Sequence, residues 1–214
     1  MKRFITLLGV FLLLAACTNE GSNEGKQEEK GSTQEASASS LDIKPAKLSK
    51  REQSIVNQMG VDFKTFYTVD GTVGEGEALV TSIVVYKDGE DGKEEFVTWG
   101  GDYKQERFNK ALHSFQLQME EKVAYFTMGS PDGYSKGSTN MPKELGAFIF
   151  EQIEEEVTIT KGETVYLAYL IGSSENQMSS VNDSDVKTLP ESVKTAEYAI
   201  VAQLEWKDNL DKKE

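Results

Sequence analysis

Cysteine and histidine are almost missing from this 214-residue chain, which has one of each, Cys17 and His113. A lone cysteine excludes an internal disulfide, and the two together are too few for a zinc site built mainly from thiolate and imidazole. Basic residues are also scarce. Lys and Arg total 23 against 36 Asp and Glu, a formal charge of −13. Phosphate recognition needs a concentrated basic surface, so nucleic acid is not an expected partner. The one Gly-x-Ser-x-Gly match, Gly133-Tyr134-Ser135-Lys136-Gly137, lies in a stretch without strand or helix period and so lacks the strand-to-helix turn of a serine-hydrolase nucleophile elbow. Long apolar runs are lacking too. The most apolar stretch, Phe4 to Leu14, is too short to cross a bilayer as a helix.

That stretch has a different use. Met1-Lys2-Arg3 supplies a positive start, Phe4 to Leu14 an apolar middle of signal-peptide length, and Leu14-Ala15-Ala16-Cys17 the end. These four residues resemble the bacterial lipoprotein lipobox, Leu-(Ala/Ser)-(Gly/Ala)-Cys, at every position. The resemblance implies diacylglycerol on the Cys17 thiol, cleavage between Ala16 and Cys17, and a mature protein held by its lipid on the extracytoplasmic face of the cell membrane. It also accounts for the single thiol, because a free cysteine is a liability in an oxidising envelope. Loss of Lys2 and Arg3 with the leader leaves 21 basic and 36 acidic side chains, a net −15. An anionic bilayer repels such a chain, so acyl chains, at about 0.8 kcal/mol per buried CH₂, must supply the anchoring.

Residues 17–48 read as a lipidated, disordered tether. Thr18 to Ser40 has no large apolar side chain and cannot bury enough to offset its ordering entropy. As a flexible coil it spans about 25–30 Å. Its flavour resembles the tethers of Gram-positive lipoproteins. Order is expected from Leu41 to Leu48 onward, and a folded domain over 49–208, with 209–214 a charged tail. Ser49-Lys50-Arg51-Glu52 fits a capping box, so a helix is expected from Lys50 to Met59, closed by Gly60, with Ile55, Val56 and Met59 as its apolar stripe.

Beyond Gly60 the apolar period becomes two. Strands are expected over 63–69, 78–87, 94–99, 111–119, 123–128, 148–160, 164–171 and 196–206. Ala78 to Lys87 is apolar on both faces, as a central strand must be. Residues 148–160 and 164–171 read as one hairpin around Lys161-Gly162-Glu163. The stretch to Arg107, and 129–142 and 172–192, read as irregular. About eight short strands with one convincing helix predict an all-β, two-sheet antiparallel sandwich of the Ig-like kind. The nearest competitor is an α+β domain with helices at 102–112 and 183–194.

Candidate chemistry is sparse. His113 lies on the alternating apolar face of its strand, where a satisfied core residue is the simpler expectation. Val157 to Leu167 resembles a hairpin of secreted β-sandwiches, cupredoxins among them, but blue copper needs two His and a Cys thiolate, so copper is rejected. No cofactor or metal is expected. Asp88 to Glu95 and Asn182 to Asp185 carry oxygen ligands suited to Ca²⁺ but not in EF-hand order, and read as a turn and a solvated loop. Glu120, Glu121, Glu151, Glu154, Glu155 and Glu156 form a carboxylate-rich set of the kind a glycosidase draws on. Tyr125, Phe126, Tyr166, Tyr169, Trp99 and Trp206 sit inside strand patterns and read mostly as core. Tyr134 does not. A 14-residue stretch without structure of its own is usually functional, so the candidate binding loop is 129–142, with Ser130, Asp132, Tyr134 and Asn140. The expected role is a non-catalytic envelope module presenting loops to a basic protein or a glycan, and the alternative is an envelope hydrolase acting through paired carboxylates.

Overall fold

The computed structural model describes residues 39–100, 105–175, 178 and 185–208, apart from the side chain of Trp99. The leader, Cys17 and most of the tether lie outside this range, as do residues 209–214. Among the described residues, eleven strands and two short helices follow in the order β1 (Leu41–Pro45), α1 (Lys50–Asn57), β2 (Phe63–Val73), β3 (Glu77–Lys87), β4 (Lys93–Gly100), β5 (Glu106–Glu120), β6 (Val123–Ser130), β7 (Gly133–Asn140), β8 (Ala147–Gln152), β9 (Val157–Ile159), β10 (Thr164–Ser173), α2 (Glu191–Lys194) and β11 (Tyr198–Asp208). They form two antiparallel sheets, β7-β6-β5-β2-β1-β9 and β4-β3-β11-β10-β8. The expected sandwich with its short N-terminal helix is the observed fold.

The sheets face each other across residues contributed by both. Leu41, Ile43, Val69 and Phe108 of the first pack with Leu79, Val165, Leu204 and Trp206 of the second. Phe115, Leu117 and Phe126 pack likewise with Ile83, Leu170, Tyr198 and Ile200. The second sheet is also covered outside, where Val84, Ile171, Ala199 and Val201 meet Leu189 and Val193 around α2. That second cover is why β3 reads as apolar on both faces, and why Tyr198, Ile200, Ala202, Leu204 and Trp206 form only one of two buried faces of β11.

Several local expectations need correction. The domain begins at Leu41, inside the stretch assigned to the tether, because β1 pairs with both β2 and β9. Strand β5 starts at Glu106, so Glu106 and Arg107 are strand and not loop, and 106–112 of the competing 102–112 helix is strand, while 101–104 lie outside the described residues. Of 183–194, only Glu191–Lys194 is helical among the described residues. Helix α1 has its capping box, with Ser49 Oγ accepting from Glu52 N and Glu52 Oε2 from Ser49 N at 2.6 Å. Gly60 adopts the expected left-handed φ of +65°, yet only Val56 is buried, and Ile55 and Met59 stand exposed. The first strand of the expected 148–171 hairpin, 148–160, divides between the sheets: β8 pairs with β10, while β9 pairs with β1. Three consecutive glutamates after buried Ile153 cannot alternate into a core, so 154–156 step outward and carry the chain across. Glu156 then meets Lys44 of β1 at 2.8 Å.

The largest correction concerns 129–142. It is not a loop. Residues 133–140 form β7, paired along its whole length with β6, from Ser130↔Gly133 to Val123↔Asn140. Ser130-Pro131-Asp132-Gly133 is a two-residue hairpin turn, with proline supplying its preset φ at the first inner position. Gly137 lets the hairpin close, because a Cβ there would lie 2.3 Å from the Phe126 ring and 3.0 Å from Phe96.

Candidate functional site

Cross-strand register places Tyr67 of β2 opposite His113 of β5. Both point between the sheets, and their rings stack at 5.4 Å with an interplanar angle of 19°. Phe108 joins them, its ring centroid 6.2 Å from that of His113. Residues five apart on a regular strand face opposite ways. A bulge at Asn109-Lys110, with Lys110 at φ +48°, shifts the β2–β5 register and turns Phe108 and His113 to the same side. Above them the β6–β7 turn brings Ser130, Asp132 and Tyr134, and across the gap the other sheet offers Leu79, Thr81 and Thr98. The result is an open cleft of about 260 Å³ at the end of the sandwich.

His113 is 9 % exposed, and its Nε2 is enclosed with no hydrogen-bond partner. Burial pushes its pKa down to about 4, against the opposing pull of the Asp132 carboxylate. The ring is therefore neutral at neutral pH. Burial also holds the Tyr67 phenol well above its ordinary pKa, a rise that its hydrogen bond with Thr81 reduces. Two neutral, apolar-walled aromatic groups thus form the floor, and one carboxylate stands at the mouth. His113 is in the core, as its strand pattern implies, but it is not a satisfied core residue, since an enclosed polar atom without a partner carries a free-energy cost.

The candidate binding residues divide. Ser130, Asp132 and Tyr134 rim this cleft. Asn140 does not, because it lies at the far end of β7 opposite Val123. Tyr134 is 71 % exposed, with Lys136 Nζ 5.2 Å from its ring centroid. Tyr67, Thr81 and Phe108 are the members that sequence reading missed, and no local motif marks them. Of the other aromatics, Phe126, Tyr169 and Trp206 are buried core, Tyr166 is half-buried and Tyr125 is exposed. The carboxylate set also divides. Glu151, Glu154, Glu155 and Glu156 rim a second, larger cleft of about 630 Å³ with Tyr166, Asp185 and Lys187, while Glu120 and Glu121 sit at the β5–β6 turn. In that cleft Asp185 accepts from Lys187 N and Thr188 Oγ1. Asp88 has φ +51° in the β3–β4 turn, and 182–184 lie outside the described residues.

No curated protein and no solved structure matches this chain. One family description does, the YgaN domain, and its match over residues 42–205 runs from β1 into β11 and so contains both sheets and both clefts. The chain belongs to the YgaN domain family.

Proposed function

We propose that this chain is a lipid-anchored envelope protein whose sandwich is a non-catalytic binding module. Cys17 carries the lipid after cleavage behind Ala16, on the extracytoplasmic face, and the cleft at the sandwich end receives the partner. One observation carries the binding reading: an exposed hairpin tip, with Asp132 and Tyr134, stands over a cleft whose floor holds the unpartnered His113. Rigid strands that present a polar rim above an apolar floor suit recognition. A strongly acidic domain steers toward basic partners, so a basic protein is favoured over a glycan.

The carboxylate hydrolase is the weaker reading. A general acid needs a dry pocket to keep its proton. Glu154, Glu155 and Glu156 stand in solvent, and Glu156 is already engaged by Lys44. Mass spectrometry of the protein from its host tests the anchor, the expected result being an acylated N-terminal Cys17. Capture from host envelope with the full chain, against Tyr134→Ala and Asp132→Asn, tests the module. Partners lost in these variants, with the circular dichroism unchanged, support it. Turnover of wall glycan that disappears on Glu→Gln change at 154–156 overturns it.

A further inference from the structure

The His113 cleft has a definite chemical preference. Among the described residues lining it, Asp132 is the only charged side chain, and no cation answers it there. The imidazole below is neutral, and its enclosed Nε2 lacks a partner. An anionic ligand would meet the Asp132 charge and gain no counter-charge. A ligand with donors and no acceptors gains from both groups, and an ammonium is such a ligand, with three N–H donors. Leu79, Phe108 and Met128 supply apolar wall for an alkyl stem, the arrangement by which lysine buries its methylenes and keeps its head polar. A volume of about 260 Å³ lies under the usual range for ligand pockets and suits one side chain better than a run of sugar rings.

We propose that this cleft is a lysine-binding pocket: the primary ammonium of a basic partner protein enters beneath the β6–β7 tip, pairs with the Asp132 carboxylate and, with a small shift of the ring or its neighbours that uncovers the enclosed nitrogen, donates to His113 Nε2. The proposal rests on the binding-module reading and names what that module grips. It requires the His113 tautomer with hydrogen on Nδ1, since only then does Nε2 accept.

Because His113 is the only histidine, its ring signals report the pocket without overlap. The full chain in detergent micelles at neutral pH is titrated with Nα-acetyl-lysine-N-methylamide and, separately, with the norleucine counterpart, which keeps the stem and lacks the charge. The lysine compound should move the His113 ring signals saturably, with the norleucine compound at least about tenfold weaker, and Asp132→Asn should weaken lysine by about tenfold or more. Asp132 is exposed on a turn, so that variant keeps the fold. Equal binding of lysine and norleucine would overturn the proposal. So would an unmoved His113 ring in a chain that still captures its envelope partner, and that result would leave the module reading intact. Absence of both responses would reject the two together.

Discussion

The two clefts of this sandwich have opposite characters. The larger, between the sheet-crossing segment 154–156 and the approach to α2, is rimmed by exposed carboxylates and held by exposed ion pairs, Lys187 with Glu163 at 2.8 Å and Lys44 with Glu156 at 2.8 Å. The smaller, at the sandwich end, has one carboxylate at its rim and buried aromatic rings beneath it. Charge in the first is mainly acidic, paired only in part, and bathed in water. In the second a polar atom is enclosed and left without a partner. Size and acidity therefore do not set the smaller cleft apart; an enclosed imidazole nitrogen without a partner does.

Replacing one floor or wall residue of each cleft gives the widest contrast. Tyr67 is buried in the core and stacked on His113, so Tyr67→Ala should cost about 3–5 kcal/mol in urea unfolding. Tyr166 is half-buried, and Tyr166→Ala should cost about 1 kcal/mol. Equal losses would erase the distinction between a core-built and a surface-built cleft.

Acid should separate the two next. Folded His113 titrates near 4 instead of 6.5, so between those values the unfolded chain binds the extra proton. The resulting stability, roughly 3 kcal/mol at most, is complete above pH 6.5 and disappears as pH falls toward 4. Glu163 behaves differently. Its hydrogen bond from Lys187, then those from Thr160, hold it down to about 2, so its contribution is complete above 4.5 and disappears as pH falls toward 2. Stability measured against pH should thus decline in two stages, and His113→Gln should remove the first alone. A single stage below pH 4.5 in the unaltered chain would contradict the neutral, buried imidazole.

Smaller effects follow on the surface. Both partners of Lys44–Glu156 are about half exposed, 44 % and 51 %. Glu156→Gln should therefore change stability by under about 1 kcal/mol, with less effect still in high salt. Asp132→Asn should leave the melting temperature nearly unchanged while lowering the His113 pKa further, because the carboxylate is what opposes burial there. Ring chemical shifts followed against pH would show it. An upward shift would mean that Asp132 does not act on the ring.

Much of the fold is legible in the residues. β3 and β11 carry β-branched and apolar side chains at buried spacing, and the helix start at Ser49 is written in four residues. β7 is not legible, because Gly-Tyr-Ser-Lys-Gly-Ser-Thr-Asn has no apolar alternation. Its glycine accommodates neighbouring rings that no local window contains. The Pro131-Asp132-Gly133 run was nevertheless a hairpin signal. The cleft was half legible. Ser130, Asp132 and Tyr134 stand out as polar and aromatic residues without a strand period, and they do meet. Their floor depends on a bulge at Asn109-Lys110 and on a register 46 residues long between Tyr67 and His113, and neither leaves a pattern in sequence. His113 reads as core, correctly, but whether its nitrogens are partnered is a property of packing alone.

The claim that the sandwich-end cleft, and not the larger acidic one, engages the partner is tested most directly by photo-crosslinking in the host envelope. A photoreactive amino acid is placed at Tyr134, on the rim of the first, or at Tyr166, on the rim of the second, in the full chain. The expected result is a discrete protein adduct from position 134, abolished by Asp132→Asn, and none from position 166. An adduct from 166 with none from 134 would contradict it.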